Sequence, residues 1–252
     1  MPAETQRDRL DVVLVSPRNP LNIGTVARAM ANFGFSRLAV VAAYAPHWRE
    51  ARSAVGAPEL LAAARETETL TDAVKGCTLV VGTGTLTYRK PEQIVVQLPD
   101  LAPLLRGEIA RGGRVALVFG PEKHGLSRED LSWCHLLVEI PTDSRQPSMN
   151  LGQAVAVCLY ELASRAFVSD EIPEIADPGK EARREPMAES GRLDLLAGVV
   201  EEAMIAAEYS PLPMREANRH DLRLMLRRLG PSERDTRRIL GVFRRILWRL
   251  KR

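Results

Sequence analysis

The sequence predicts an α/β fold, in which a mostly parallel sheet carries helices on both faces and a helical extension follows at the C-terminus. Short apolar runs without polar alternation recur as far as Val168, as strands buried on both faces require. Segments with apolar residues at helical spacing separate those runs. After Val168 comes a charged, proline-containing stretch, and then three more helical patterns.

Five apolar runs predict the strands. The first, LDVVLVSP from Leu10, ends at a proline, and the third, CTLVVGTG from Cys77, ends in glycines. The other three are RLAVVAA, GRVALVFG and HLLVEIPT.

The predicted helices lie between these strands. In NIGTVARAMANFGF the apolar residues fall at helical spacing and Gly34 ends the helix. PELLAAARET, LTDAVKG, LPDLAPLLRGEIARG and SREDLSWC are also predicted to be helical. The last helix of this part follows PSMN, where Ser148 and Asn150 are residue types that cap helices.

These patterns divide the chain into an α/β domain over residues 1–168, a linker over 169–190 and a helical extension over 191–252. The linker prediction rests on high charge, prolines and the lack of an apolar face. In the extension, the sequence LGP between the last two helical patterns predicts a helical hairpin.

The net charge of +3 is unevenly distributed. From Met214 to Arg252 there are 13 Lys or Arg and 4 Asp or Glu, a net charge of 13 − 4 = +9, so the rest of the chain carries 3 − 9 = −6. A basic segment on a mildly acidic body suggests a polyanionic partner. The alternative is that these arginines only solvate exposed helix faces.

Composition narrows the class of protein. The chain has 252 residues, of which 45% are hydrophobic and 27% charged, as in soluble globular proteins. No apolar run is long enough for a membrane span, and MPAETQRDRLD lacks the apolar core of a signal peptide. Three cysteines without CxxC spacing favour the cytoplasm and argue against a disulfide framework or a metal site. We expect the neighbours Cys134 and His135 to be structural.

Ligands of open parallel sheets bind beyond the carboxyl ends of the strands. Four such ends here are rich in Gly, Asn, Ser, Thr and Pro: SPRNPLNIG, VGTGTLTYRK, FGPEKHGLS and IPTDSRQPSMN. GTGTLT matches a dinucleotide-binding fingerprint only in part, because Thr87 replaces the third glycine, and a nicotinamide-dependent oxidoreductase is a distant alternative. Arg28 could hold a phosphate at this rim, or be an ordinary surface arginine.

Three polar and glycine-containing segments follow one another over about 150 residues of the chain: NIGTVARAM, LVFGPEKHGLS and IPTDSRQPSMNLGQAVAVCLYEL. Taken in this order, they resemble the signature motifs of the SpoU/TrmH RNA 2′-O-methyltransferases of the SPOUT superfamily. The resemblance implies a trefoil knot in the C-terminal part of the sheet, which composition alone would not suggest. It also implies S-adenosyl-L-methionine as cofactor and a homodimer with the site near its interface, so that residues 1–168 form the methyltransferase domain.

Matching the motifs position by position gives the candidate catalytic residues and the candidate cofactor-binding residues. Asn22, Arg28 and Glu122 match the polar residues of the first two motifs. Ser148 and Asn150 could orient the ribose, so these five residues are the catalytic candidates. The residues matching the cofactor loops are Thr83, Gly84, Thr85, Gly120, Ile140, Ser148, Met149 and Asn150.

The implied activity is methylation of a ribose 2′-hydroxyl in tRNA, with the pyrimidine at position 32 of the anticodon loop as the expected target. Another tRNA position, ribosomal RNA, or an inert RNA-binding module are the alternatives. Whether Arg28 acts as base or as electrostatic anchor stays open, because a guanidinium normally keeps its proton. The RNA-contact candidates are Arg89, Lys90, Arg237, Arg238, Arg244 and Arg245. The alternative for the C-terminal hairpin is that Leu222, Leu226, Ile239, Phe243 and Leu247 only pack it onto the dimer.

Overall fold

A computed structural model describes residues 5–44, 47–84, 91–167 and 185–251. Its seven strands are β1 (Leu10–Val15), β2 (Arg37–Val41), β3 (Arg65–Thr67), β4 (Leu79–Thr83), β5 (Ile94–Gln97), β6 (Val115–Phe119) and β7 (Leu136–Glu139). Its nine described α-helices are α1 (Pro20–Asn32), α2 (Pro58–Ala63), α3 (Leu70–Val74), α4 (Leu98–Ala110), α5 (Arg128–Ser132), α6 (Leu151–Arg165), α7 (Ser190–Ala206), α8 (Arg215–Leu229) and α9 (Glu233–Leu250).

The strands form one sheet in the order β3-β2-β1-β6-β4-β7-β5, and every pair is parallel. The predicted α/β class and the parallel sheet are therefore confirmed. The five predicted strands all form, and two more join them at the edges. The trefoil knot stays a prediction.

The two edge strands correct the sequence interpretation. Residues Arg65–Thr67 were expected to continue a helix, but they pair with Ala39–Val41 of β2. Strand β5 was not predicted, and its Ile94 is 67% exposed. Both are short edge strands with one pairing partner each: β3 (RET) has no apolar residue, whereas β5 (IVVQ) is a short apolar run that was not recognised as a strand.

Each face of the sheet has its own apolar layer. Val12 and Leu14 point into a large cluster beneath α1, α2, α4 and α6, whereas Val13 and Val15 point into a smaller one beneath α3 and α5. This alternation is the period of two expected of strands with both faces covered. The layers hold the carboxyl ends of β1, β6, β4 and β7 along one rim.

The three C-terminal helices form a unit with a small core of Leu196, Val200, Leu222, Leu226 and Leu240. Phe243 packs against this core, so the hairpin packs onto α7 of its own chain. Gly230, at φ +52°, makes the turn between α8 and α9, and the predicted hairpin is confirmed.

Two buried arginines join this unit to the sheet. The guanidinium of Arg223 stacks on Trp133 at 3.7 Å from the ring centroid, and its Nη1 donates to Ser132 Oγ at 2.7 Å. Arg227 donates to the carbonyl of Trp133 at 3.0 Å and to Asp194 Oδ1 at 2.8 Å. Such stacked, paired cations are stable in a buried contact.

The helix α7 begins at the amino ends of the strands, where the amide of Ser190 donates to the carbonyl of Cys77 just before β4. Ion pairs join Arg192 to Glu233 at 3.3 Å and Glu202 to Lys251 at 3.0 Å. Because these pairs match the starts and the ends of two helices, α9 runs in the same direction as α7, away from the amino ends.

Most of the predicted linker, residues 169–184, lies outside the described residues. Of its last part, Met187 forms an antiparallel bridge with Ser232. The domain boundaries stay a prediction. No helix in the described ranges is both long and apolar enough to cross a membrane.

Candidate active site at the strand ends

A cavity of about 390 Å³ opens at the carboxyl ends of β4, β6 and β7. Its size is that of a small-molecule site. The sequence reasoning named seven of its lining residues: Thr83, Gly84, Gly120, Glu122, Ile140, Ser148 and Met149. Leu126, Leu151 and Ala154 add apolar surface. One wall therefore suits a flat apolar group, and the loop backbones offer polar groups beside it.

The loop after β6 folds back on itself so tightly that only glycine fits at its start. A Cβ on Gly120 would lie 2.2 Å from the backbone carbon of Gly125 and from the amide nitrogen of Leu126. The amide of Gly125, at φ +63°, donates to the carbonyl of Pro121 at 2.9 Å. Both glycines are needed for the loop shape, since L-residues avoid such contacts and such a φ.

Glu122 in this loop holds the start of α1. Its Oε1 accepts from the amide of Asn19 at 3.1 Å and from Asn22 Nδ2 at 2.9 Å, and its Oε2 accepts from the amide of Arg18 at 3.1 Å. Partial burial would raise the pKa of Glu122, but the hydrogen bonds from Asn22 and the backbone outweigh it and hold that pKa below its usual value. Glu122 is therefore an ionised acceptor at neutral pH.

Asn22 connects the first and third motifs. Its Nδ2 donates to Glu122, and its Oδ1 accepts from Asn150 Nδ2 at 3.0 Å. Asn150 Oδ1 in turn accepts from the amide of Gly152 at 2.9 Å. This chain of bonds fixes both side-chain amides, because each needs its oxygen and nitrogen in the observed orientation.

The start of α6 serves two purposes at once. Asn150 is its N-cap, as its residue type predicted, while Ser148 and Met149 line the cavity. The helix lies close to α1, because a Cβ on Gly152 would be 2.6 Å from Thr25 Cγ2. One side of the rest of α6 is buried in the chain's own core and consists of Val155, Cys158, Leu159 and Leu162.

Arg28 lies in α1 about 1.7 turns beyond Asn22. It is exposed, it makes no hydrogen bond or ion pair with any other described residue, and it does not line the cavity. Side chains of an α-helix lean toward its N-terminus, so the guanidinium extends along α1 toward the end of the helix that carries Asn22. The structure leaves it free to take up an anion.

The remaining predicted residues lie elsewhere. Thr85, Arg89 and Lys90 are outside the described residues. Arg237, Arg238, Arg244 and Arg245 are exposed on α9. The sheet rim and the C-terminal arginines are thus on separate elements.

Two kinds of residue at the carboxyl ends of the strands were not predicted from the sequence. Lys123 and His124 line the cavity, and their only sequence signal was their place inside the second motif. Ser16 and Ala42 take left-handed φ values of +45° at the ends of β1 and β2. Positive φ at non-glycine residues is costly and gathers near functional sites, but no local pattern indicated it.

Comparison with known proteins gives the class of protein first. The crystal structure of TrmJ from Z. mobilis ZM4 is similar with a TM-score of 0.79 and 27% identity, over 94% of this chain and 98% of that one. A probable methyltransferase from Bordetella pertussis Tohama I is similar with a TM-score of 0.59 and 28% identity, over 64% of this chain and 98% of that one. The fold is therefore that of a methyltransferase of this type.

Sequence comparison then gives the family. Residues 9–160 match the SpoU rRNA Methylase family, and the chain belongs to it. The tRNA (cytidine/uridine-2′-O-)-methyltransferase TrmJ of Escherichia coli O6:K15:H31 is 32% identical over 237 residues, covering 94% of this chain and 92% of that protein. The tRNA (cytidine/uridine/adenosine-2′-O-)-methyltransferase TrmJ of Pseudomonas aeruginosa is 41% identical over 156 residues, which cover 62% of this chain and 60% of that protein.

Proposed function

We propose that this chain transfers a methyl group from S-adenosyl-L-methionine to a ribose 2′-hydroxyl of tRNA. One observation carries the proposal beyond family membership. Asn22, Glu122 and Asn150, one from each of the three motifs, form a single hydrogen-bonded chain at the rim of one cavity.

The residues present fit the cofactor. The cavity of about 390 Å³ combines an apolar wall at Leu126, Ile140 and Met149 with the loop backbones at Gly84 and Gly120. The apolar wall suits an adenine ring, and the loop backbones suit the polar parts of the cofactor. When bound, S-adenosylmethionine supplies an electrophilic methyl group.

We assign two tasks to the chain's own residues. Glu122, Asn22 and Asn150 are positioning residues, because they fix the starts of α1 and α6 against the loop after β6. Arg28 binds the substrate through its guanidinium, which suits a phosphate or the developing alkoxide of the ribose. Holding the hydroxyl in line with the methyl group lowers the barrier by several kcal/mol in reactions of this kind.

Replacing Arg28 separates these tasks. Arg28→Ala should reduce tRNA methylation at least a hundredfold and leave the affinity for S-adenosylmethionine within about twofold, because the side chain is outside the cavity. Rate is measured with a labelled methyl group and affinity by calorimetry. Arg52→Ala, another exposed arginine, is the control. Equal loss of rate and cofactor affinity would contradict the assigned role.

The nucleotide is found by mass-spectrometric mapping of methylated riboses after incubation with total RNA. We expect the mark in the tRNA anticodon loop, at the pyrimidine of position 32. A mark elsewhere in tRNA or in ribosomal RNA would replace this substrate assignment. No mark at all, together with no heat of cofactor binding, would support the inert RNA-binding alternative.

We also propose a homodimer through the outer face of α1 and α6. Leu21 and Tyr160 are 55% and 60% exposed there, and the Tyr160 ring packs edge-on against Phe33 with centroids 6.0 Å apart. Arg28 lies on the same exposed side of α1, so a partner on this face would border the site. Tyr160→Arg should shift sedimentation from dimer to monomer, and an unchanged dimer would refute this interface.

The cellular setting we propose is the cytoplasm, where the substrate is found. Its support is that Cys77, Cys134 and Cys158 are all free thiols and all buried.

A further inference from the structure

Gly241 lies in the middle of α9 on its exposed side, and nothing in its own chain requires a glycine there. A Cβ at this position would meet no atom within 4 Å. By contrast, a Cβ on Gly24 would lie 2.8 Å from the backbone nitrogen of Ala54, so that glycine is needed for packing. Glycine is a poor helix former, and an alanine would suit an exposed helix interior better.

Four arginines surround the open space at Gly241. Arg237 and Arg238 precede Gly241 by four and three residues, and Arg244 and Arg245 follow it by three and four. In a helix these are the four nearest surface neighbours, all within about 60° of the glycine around the axis. All four are exposed.

These cations are only weakly engaged within the chain. Arg237 is 75% exposed and lies 3.4 Å from Glu233, and Arg245 stacks on Trp248 at 4.2 Å. Arg238 and Arg244 make no ion pair with any described residue. Exposed pairs of this kind are easily exchanged for another anion.

The opposite side of α9 fixes the direction in which the arginines point. Thr236 and Leu240 are buried, and Phe243 packs against the core shared with α7 and α8. The helix is therefore held by one side while the side centred on Gly241 points to solvent. This side carries charge of one sign, so its complement is a polyanion.

We propose that Gly241 and its four arginines form a saddle that receives the sugar-phosphate backbone of RNA. This proposal rests on the proposed function, because it takes RNA as the substrate. It adds which residues of α9 contact the RNA and why residue 241 is a glycine. The missing side chain lets the backbone approach the helix, while arginines on both sides reach phosphates about 12 Å apart along the axis. Contacts of this kind give affinity and register but no sequence preference.

The chain offers a matched control in Gly198 of α7. It is also exposed, and a Cβ there would also meet nothing within 4 Å. Its surface neighbours are Asp194, Leu195, Glu201 and Glu202, so it lacks the basic surroundings. The two glycines share helix context and openness and differ in charge.

The test measures binding of fluorescently labelled tRNA to the full chain by anisotropy. Gly241→Leu should weaken binding at least fivefold and Gly241→Ala less, whereas Gly198→Leu should stay within twofold of the parent. Both leucine variants should unfold at the same or a higher temperature, since leucine is the better helix former. Weaker binding by a variant that is no less stable excludes a folding defect.

Salt dependence gives a second readout. Changing all four arginines to glutamine should flatten the plot of log affinity against log salt by about three units, as expected for losing four phosphate contacts. Affinity for S-adenosylmethionine should be unchanged in calorimetry. Equal tRNA affinities of Gly241→Leu and Gly198→Leu, with methylation intact, would overturn the saddle and leave the proposed function standing.

Two other outcomes separate the remaining possibilities. A parent chain that neither binds nor methylates tRNA would overturn the proposed function, and the saddle with it. Binding to phosphatidylglycerol vesicles that is sensitive to Gly241→Leu, in place of tRNA binding, would show that the face meets a membrane surface and would also overturn the saddle.

Discussion

At the scale of single residues, the site is organised by one carboxylate. Glu122 accepts hydrogen bonds from two backbone amides at the entrance of α1 and from the Asn22 side chain. The ionised form is the better acceptor for three donors, which explains why hydrogen bonding overcomes the effect of burial on its pKa. A glutamate at this place in the second motif therefore has a structural role, which is to hold the start of α1.

Glu122→Gln tests this role. The glutamine places an NH2 group against hydrogen-bond donors, so at least one donor loses its acceptor. We therefore expect the free energy of unfolding to fall by about 1 kcal/mol and the methylation rate to fall about tenfold. Urea unfolding and initial rates measure the two effects. Glu59→Gln, at an exposed position in α2, is the control. A parent-like rate would mean that the carboxylate is not required.

The buried His135 makes stability depend on pH. Its Nδ1 accepts from the amide of Val80 at 3.1 Å, and burial together with the nearby Arg227 lowers its pKa to about 3. Below pH 6.5 the unfolded histidine takes up a proton that the folded one refuses. The unfolded state then binds more protons, so stability falls as the pH falls from about 6.5 toward 3.

We therefore expect the parent to lose up to about 1.4 kcal/mol of unfolding free energy per pH unit between pH 6 and 5 through this group. His135→Asn keeps an acceptor for Val80 but cannot titrate, so its slope should be smaller by that amount. His47→Asn, at an exposed site, should keep the parent slope. Identical slopes for the parent and His135→Asn would contradict the assignment.

At the scale of elements, the starts of α1 and α6 form one unit. Asn19 caps α1 and Asn150 caps α6, and the Asn22 side chain lies between Asn150 and Glu122. Gly152 lets the two helices approach, since a Cβ there would contact Thr25. The Asn150 side chain thus caps α6 and also takes part in the hydrogen-bonded chain of the site.

Two substitutions at Asn150 separate these uses. Asn150→Asp keeps the capping oxygen but loses the donor to Asn22, so it should cost about 1 kcal/mol of stability and lower the methylation rate. Asn150→Ala loses the cap and the donor, so it should cost about 2 kcal/mol. Thermal unfolding and methylation rates are measured on the same samples. Full activity of Asn150→Asp would show that the bond to Asn22 is dispensable.

At the scale of the whole molecule, Arg227 of α8 contacts both Trp133, which follows α5, and Asp194 of α7 within the C-terminal unit. Arg227 is almost fully buried, with 1% of its side chain exposed, between Trp133 and Asp194. Burial raises the pKa of Asp194, and Arg227 partly offsets that rise. The position of α8, and with it the direction of α9, depends on this contact.

Removing the cation should leave Asp194 as an uncompensated carboxylate. Arg227→Met should cost about 3 to 5 kcal/mol of unfolding free energy, and Asp194→Asn in the same chain should restore part of it. A double-mutant cycle in urea measures the coupling. Arg228→Met, the exposed neighbour, is the control. Additive effects of Arg227→Met and Asp194→Asn would mean that the pair is not coupled.

The sequence by itself determined the α/β class, the five strongly apolar strands, the C-terminal helices and the motif residues of the site. These follow from patterns a few residues long, because burial and periodicity act locally. The sequence also showed the excess of positive charge at the C-terminus, but it did not show which of these arginines are buried and which are exposed. Arg223 and Arg227 are buried against Trp133, whereas the arginines of α9 remain exposed.

Only the tertiary structure decided the edge strands, the strand order and the partners of Glu122. Arg18, Asn19 and Asn22 lie about a hundred residues from Glu122 in the chain and meet it through the parallel pairing of β1 with β6. Contacts between distant segments depend on the path of the whole chain, and no local pattern encodes them. Seven of the residues that line the cavity were therefore predictable one by one, but the hydrogen-bonded chain of Asn22, Glu122 and Asn150 was not.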